Sequence, residues 1–407
     1  MNPYAVFILS VLIGLQSCKE PSVAQGVITP VASEKKTILS GASRTEEYLP
    51  LLKGKQIAVI ANQTSRIGKT HLVDTLLAFG VNVQCVFAPE HGFRGDAGAG
   101  ETIRDGKDPK TGLPVFSLYG KNKKPTAGQL SKTDVIVFDI QDVGARFYTY
   151  ISTMHYAMEA AAELGKEFIV LDRPNPNGFY IDGPVLDTNY RSFVGMHPIP
   201  VVHGCTVGEL AQMINGEEWL KGGKKCKLTV ISCQNYTHEE VYELPVPPSP
   251  NLPNMAAVYL YPSLCFFEGT VVSVGRGTDL PFQCIGYPGN TTGTFAFTPA
   301  DKPGVAMDPP HEGKTCHGHS LAAFGSFYFR SSHMLYLDWL TGLYEASADK
   351  DKFFSQAAFF DKLAGTDRLR NQVIQGMSPA EIRATWQPEL ERYRAMRKAY
   401  LLYPESE

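Results

Sequence analysis

A chain of 407 residues, 43% of them hydrophobic, is long enough for a sizeable core and for about two domains. Its formal net charge of -3 comes without a basic stripe, which argues against nucleic acid as a partner. With 37 glycines and 28 prolines the chain calls for many shaped loops and not for a helical bundle.

In chain order, the first feature is an uncharged apolar run, Ala5–Leu15, closed by Gln16-Ser17-Cys18. It falls short of the roughly 20 residues that span a bilayer and suits the core of a signal peptide. A small residue before a cysteine resembles a bacterial lipobox. Residues 1–18 are therefore expected to be a lipoprotein signal peptide, with Cys18 the lipidated first residue of the mature chain. Lys19 stands where inner-membrane retention usually has Asp. This favours a lipid-anchored protein of the cell envelope, on the periplasmic or cell-surface side of the outer membrane. Residues 19–40 read as a polar tether.

Strands and helices then alternate. Strands are expected at Gln56–Ala61, Val81–Ala88, Asp134–Ile140, Phe168–Leu171 and Lys227–Ser232. Helices are expected at His71–Phe79, at Ser152–Leu164 with Ser152 as cap, and at Thr206–Leu220, where Thr206 and Glu209 form a capping box. Alternation of this kind predicts an α/β fold, a Rossmann-like parallel-sheet domain over 41–255. The Pro-dense stretch Pro245–Pro253 reads as a stiff connection. A smaller α+β domain over 256–407 follows, with the active-site cleft between the two. It is expected to have strands near 270–285 and 325–330 and helices near 333–346, 352–362, 367–374 and 379–402. Without Cys18 there are seven cysteines, an odd number. Cys226 and Cys233 are close enough in sequence to pair across a short strand.

In an open parallel sheet, ligands bind beyond the carboxyl ends of the strands. The segments there are Asn62–Ser65, Pro89–Gly95, Gln141–Arg146 and Asp172–Gly178, all dense in bondable side chains. Glu90 follows a strand and a proline. Phe87 and Phe93 nearby are expected to exclude water and favour the protonated carboxyl that a general acid needs. His91 is placed to orient it, and a salt bridge from Glu90 to Arg94 is the alternative. A second carboxylate is sought among Asp139, Asp142 and Asp172, with Glu101 and Glu268 further off, since glycoside hydrolysis uses two. Arg146, Arg173 and Arg276 suit bidentate recognition of a substrate carboxylate. Tyr148 and Tyr150 suit either a sugar face or the core.

No cofactor or metal is expected. Gly68-Lys69-Thr70 ends like a phosphate-binding loop, but Gln63 replaces the required glycine. GxGxxG and GxSxG are absent. His311, Cys316, His317 and His319 match no standard metal spacing.

Several strings resemble the NamZ family of exo-acting β-N-acetylmuramidases. They are Ala88–Gly95, Phe138–Tyr150, Leu171–Pro176, Pro198-Ile199-Pro200 with His203-Gly204, Pro248–Asn251, Glu268-Gly269-Thr270 and Gly275-Arg276-Gly277-Thr278. Val274 departs from the family pattern, which has Glu there, so position 274 is left out of the site. The resemblance implies removal of a terminal, non-reducing N-acetylmuramic acid from peptidoglycan fragments during cell-wall turnover. It carries Glu90 over as the leading catalytic residue. It also admits a variant in which the substrate's 2-acetamido oxygen is the nucleophile and an Asp orients it. Together the loops and the resemblance nominate Glu90, His91 and Asp142 for catalysis. For substrate binding they nominate Asn62, Arg94, Asp139, Arg146, Tyr148, Asp172, Arg173, Asn175, His203, Glu268, Arg276 and Thr278. The expected partners are peptidoglycan-derived glycans, with the membrane met only through the lipid. The alternative is a peptidoglycan-binding lipoprotein that has lost catalysis.

Overall fold

The computed structural model describes residues 36–95 and 105–405. The signal segment, Cys18, most of the expected tether and Glu101 lie outside the described residues.

The first half runs α1 (Thr45–Leu52), β1 (Gln56–Ala61), the hairpin β2 (Arg66–Ile67) and β3 (Thr70–His71), α2 (Leu72–Ala78), β4 (Asn82–Ala88), β5 (Gly106–Lys107), β6 (Pro114–Ser117), β7 (Val135–Asp139), α3 (Tyr150–Leu164), β8 (Glu167–Leu171), α4 (Val207–Gly216) and β9 (Lys227–Ile231). Seven strands form one sheet in the order β5-β6-β4-β1-β7-β8-β9. Only the β5–β6 edge pair is antiparallel. From β1 the chain steps outward to β4 and β6, then returns to the other flank of β1 and continues through β7, β8 and β9. That is the doubly wound order, and its switch point lies between β1 and β7.

Period-2 alternation decides which side chain meets which helix layer. Val135 and Val137 pack with Tyr48 and Leu52 of α1 and with Leu72 and Leu76 of α2. Their neighbours Ile136 and Phe138 pack with Met154, Ala157 and Met158 of α3 on the other face. Burying one such side chain contributes about 1.5–3 kcal/mol. The five strands predicted for this half are present within a residue or so. The Thr206–Glu209 capping box forms as expected, although α4 stops at Gly216 and not at Leu220. α3 begins two residues before the expected cap, and Ser152 instead donates to the Phe193 carbonyl at 2.7 Å. Phe79, the last residue of the expected helix, is the C-cap just past the end of α2 and is exposed.

The second half runs α5 (Met255–Leu264), β10 (Cys284–Tyr287), β11 (Phe295–Phe297), β12 (Cys316–Ser320), α6 (Gly325–Ser332), α7 (Asp338–Glu345), α8 (Lys350–Phe353), α9 (Ala357–Ala364), α10 (Arg368–Ile374) and α11 (Pro379–Arg397). The three strands make a small antiparallel sheet, β10-β12-β11. Residues 325–330, expected as strand, are helical. α5 is buried on nearly every side, so its sequence lacks the apolar stripe that marks a surface helix. One core joins Phe138 of the sheet to Phe147, Phe266 and Phe360, and the described residues from Ile38 onward pack as one compact unit. The pairing of Leu39 with Gln234 brings the end of the expected tether into the fold. All seven described cysteines are buried and free. Cys226 and Cys233 flank the extended strand β9, which holds them too far apart to bridge.

Candidate active site

Loops from the carboxyl ends of β4 and β7 meet the start of the second half. Glu90 stands two residues past β4, behind Pro89. Next to it His91 is left-handed, with φ of 71°, a conformation that costs a non-glycine residue about 1–2 kcal/mol. A hydrogen bond of 3.1 Å between His91 Nε2 and Ser249 Oγ helps to hold that turn. Ser249 belongs to the Pro-dense stretch, which crosses the sheet end as a strap. Its Pro248 carbonyl accepts from Tyr148 OH at 2.8 Å and from Gln63 Nε2 at 3.1 Å. Gly144, with φ of 76°, shapes the loop after β7, since a Cβ there would meet Asn175 Oδ1 at 2.3 Å.

These segments enclose a cavity of about 460 Å³, within the range of about 300–1,000 Å³ usual for small-molecule sites. Glu90, Tyr119, Thr149, Glu268 and Arg276 supply its polar wall, and Phe147, Phe193, Tyr261 and Phe359 supply apolar surface. An annexe of about 60 Å³ shares Glu90 and Arg276 and adds His91, Tyr148, Tyr150 and Asn251. Water exclusion therefore falls to Phe147, Phe193 and Tyr261. Phe87 lies in the core against Phe116, and Phe93 packs on His71, so neither lines the cavity.

Three carboxylates line the cavity; Asp308 is exposed, and the other two, Glu90 and Glu268, have different neighbours. Thr149 Oγ1 donates to Glu90 Oε2 at 3.1 Å, and Tyr119 is a second hydroxyl partner of that carboxylate. Burial, together with the Glu90 charge and hydrogen bond, pushes the Tyr119 phenol above its ordinary range, so it stays a neutral donor. Tyr150 OH donates to the Glu90 backbone carbonyl at 3.4 Å. Glu268 instead meets a cation. Arg276 Nε donates to its Oε1 at 2.6 Å, and the Cys265 thiol donates to its Oε2 at 3.4 Å. Burial is the largest single influence on Arg276 and lowers its pKa, but the Glu268 charge and hydrogen bond, with Tyr261 and Cys265, together outweigh it and the net direction is upward. No described residue accepts from Arg276 Nη1 or Nη2. Its guanidinium stacks over Phe282 at 5.0 Å.

Of the nominated residues, the structure brings together Glu90, His91, Tyr148, Glu268 and Arg276. The others stand outside both cavity walls. Asp142 is buried, accepts from Gly144 N at 2.6 Å and lies 3.6 Å from His203 Nε2, so these two brace the loop after β7. Asp139 and Arg173 form a buried fork of 2.6 and 2.9 Å and neutralise each other. Arg94 pairs with Asp108 and Asp74, and Asp108 rather than Glu90 takes its bidentate bond. Asn62 Oδ1 accepts from the Thr64 backbone N–H at 2.9 Å and so closes its own loop. Asn175 donates to the Cys205 carbonyl, and Thr278 donates to the Gly275 carbonyl inside its own turn.

Asp172 caps α4, accepting from Thr206 Oγ1 at 2.8 Å, from Gly208 N at 2.7 Å and from Tyr403 OH. Burial raises its pKa to about 6. Arg146, fully buried, donates to the carbonyls of Pro184, Ile199, Leu363 and Ala364 at 2.7–3.0 Å. Burial lowers its pKa to about 9. It clamps backbone and does not reach the cavity. The His/Cys group of the second half also disperses. His311 bonds the Val271 carbonyl, and Cys316 packs with Cys284 and Phe297.

Sequence reasoning missed Tyr119 and Thr149. Thr149 sits inside the string Phe138–Tyr150, next to the tyrosines that drew attention. Tyr119 follows β6, a short strand whose sequence carries little pattern.

Models of two families match the chain. The N-terminal domain of the exo-β-N-acetylmuramidase NamZ matches residues 57–256, and its C-terminal domain matches residues 259–403. A Bacillus subtilis (strain 168) protein described as peptidoglycan β-N-acetylmuramidase NamZ is 38% identical, over 95% of this chain and 93% of that one. Two crystal structures of DUF1343 family proteins from Bacteroides fragilis NCTC 9343 share the fold. One is 48% identical with a TM-score of 0.84, covering 91% of this chain and 100% of its own. The other is 31% identical with a TM-score of 0.73, covering 90% and 99%.

Proposed function

Because this chain belongs to the exo-β-N-acetylmuramidase NamZ family, we propose that it is a glycoside hydrolase that releases terminal N-acetylmuramic acid from the non-reducing ends of peptidoglycan fragments. The observation that carries the reading is the convergence of Glu90, Glu268 and Arg276 on one cavity of monosaccharide scale. Glu90, met by neutral hydroxyls, acts as general acid and delivers a proton to the departing sugar oxygen as the bond from C1 breaks. Glu268, held by Arg276, stabilises the positive charge that develops at C1. Water then supplies the hydroxyl that C1 gains, and the proton it releases returns to Glu90. Arg276 has Nη donors left for the lactyl carboxylate that distinguishes N-acetylmuramic acid from N-acetylglucosamine. None of these steps calls on a metal or organic cofactor.

The test is direct. Purified protein is incubated with the disaccharide of N-acetylmuramic acid linked to N-acetylglucosamine, and the products are separated. Free N-acetylmuramic acid supports the reading. An intact disaccharide that nevertheless binds would leave a non-catalytic peptidoglycan binder.

The same reading gives the protein a place in the cell envelope. Cys18 is the lipid attachment site, supported by the apolar run Ala5–Leu15 and by the small residue Ser17 before it. No helix of the described residues is long and apolar enough to cross a membrane. Cys18→Ser should shift the protein from the membrane fraction to the soluble or unprocessed pool. Equal fractionation of mutant and wild type would remove the anchor from the account.

A further inference from the structure

A second cavity, of about 610 Å³, shares no lining residue with the catalytic one. Its walls come from α11, from the end of α4 and from the segment around Leu186. Two of its residues stand out chemically. Trp219 is half-buried, with its indole stacked on the His197 ring at a centroid distance of 5.5 Å. No described residue accepts from its indole N–H. Arg392 is exposed, and no described residue forms a hydrogen bond or ion pair with it. The other charged groups there are already engaged. Arg368 forks onto Glu389 at 2.8 and 2.9 Å, Glu217 accepts from Tyr400 OH at 2.6 Å, and Asp187 accepts from Asn189 N at 2.9 Å.

An aromatic surface beside one uncommitted guanidinium suits a sugar ring that carries a carboxylate. The indole takes the apolar face of the ring, and the arginine takes the charge.

The two cavities are built on one wall. Leu186 and Asp187 line the second cavity, and Asp187 N donates to the Gly365 carbonyl at 2.9 Å. In the same turn, Leu363 lines the catalytic cavity. Leu186 also packs on Gly195, next to Phe193 and Val194 of the catalytic wall. Arg146 ties this wall together through its carbonyl bonds on both sides.

We infer that this second cavity binds a further muramyl unit of the peptidoglycan polymer and holds the glycan while its terminal sugar is cleaved elsewhere. The inference rests on the proposed substrate class. The ligand chemistry is a carboxylate borne at the muramyl lactyl position, either directly or through a stem peptide.

The test separates polymer capture from catalysis. In a Glu90→Gln background, Trp219→Ala and Arg392→Met are each assayed for retention on two insoluble preparations, peptide-bearing sacculi and glycan strands stripped of stem peptides. Each substitution should lower affinity about tenfold, the scale of one lost charge-assisted contact. In the otherwise wild-type enzyme the same substitutions should leave kcat/KM on the disaccharide within about twofold. Because Trp219 also packs on His197, thermal midpoints accompany both variants, and Arg392→Met decides if Trp219→Ala does not fold. Loss on stripped strands alone assigns the free lactyl carboxylate, which the amide to the stem peptide removes in sacculi. Loss on sacculi alone assigns a carboxylate of the stem peptide, and loss on both assigns a site that takes either. Unchanged retention on both overturns the inference, as does an equal loss of disaccharide turnover. Failure of the wild-type enzyme to cleave the disaccharide sinks the catalytic reading and is seen in a separate arm.

Discussion

Arg276 Nε donates to Glu268 Oε1 at 2.6 Å, and both side chains line the cavity that Glu90 also lines. The contact holds Glu268 in place and leaves the two Nη groups of Arg276 for a ligand. Of Arg146, Arg173 and Arg276, only Arg276 is placed to read the lactyl carboxylate. A hydrogen bond to a charged group is worth about 1.5–3 kcal/mol, or roughly 10–150-fold. Arg276→Met should lower kcat/KM on a muramyl substrate by about that factor. Part of the loss comes from loosening Glu268 and falls on any substrate, so the ratio to the N-acetylglucosaminyl analogue is the measurement. A ratio unchanged from wild type would leave Arg276 as a partner of Glu268 alone.

Glu90→Gln keeps the shape of the side chain and its contact with Thr149 while it removes the transferable proton. General acids contribute about 10²–10⁴-fold. A loss of that order is expected when the leaving group is a sugar, and a smaller one when it is a nitrophenolate, which departs with little protonation. Equal losses on both leaving groups would move Glu90 to another role.

Tyr119 and Thr149 act through Glu90, and each offers it one hydroxyl. One such bond is worth about 0.5–1.5 kcal/mol, so Tyr119→Phe and Thr149→Val should each lower kcat by about 2–12-fold with the thermal midpoint kept. Thr149→Ser restores the hydroxyl and should restore the rate. A structural role would lower stability instead, and serine would not rescue the rate.

The sheet and Glu90 were legible because their signals are local. Val135–Phe138 is apolar throughout, as a strand covered on both faces must be, and the Thr206–Glu209 box is a fixed spacing. Glu90 could be chosen because a strand and a proline place it beyond the sheet edge. Asp139, Asp172, Arg94 and Arg173 sit at similar edges and carry the same charges. What removes them from the cavity wall is pairing with residues 14 to 231 positions away, which no spacing rule reports. α5 was illegible for the opposite reason, since a helix buried all round has no polar face to set a period. Glu268 was the second carboxylate only in a long list, because its distance in sequence from Glu90 hides their meeting.

Arg146→Met tests the reassignment of an arginine that sits, like Arg276, in a loop with a neighbouring glycine. Its four carbonyl partners would be left in a dry interior, where each unsatisfied group costs about 1–3 kcal/mol. Urea unfolding should show a loss of at least about 3 kcal/mol. In whatever fraction folds, the ratio of muramyl to glucosaminyl turnover should stay that of wild type. A selective loss of the muramyl substrate with stability intact would return Arg146 to the site.

His155 and His197 form a buried pair, with 3.0 Å between His155 Nδ1 and His197 Nε2. Burial is the main cause that lowers His155 to about 4 and His197 well below its ordinary value. Glu159, 3.7 Å from His155, pulls the other way, while Arg191 and Lys124 add to the lowering. The folded-state values therefore lie below the unfolded value of 6.5, and the unfolded chain takes up the proton first. By linkage the stability tied to this pair is full above about pH 6.5 and is lost as the pH falls through about 4. A displacement of this size corresponds to about 3 kcal/mol for His155. Asp172, raised to about 6, contributes in the opposite sense over much of the same window, so the whole-protein curve mixes the two. The difference between wild type and His155→Gln isolates the histidine. Urea unfolding at pH 7, 6, 5 and 4 should show the variant losing less stability on acidification than wild type, by up to about 3 kcal/mol. Parallel curves would mean that protonation of His155 is accommodated in the folded state, for instance by Glu159, and would overturn the assignment.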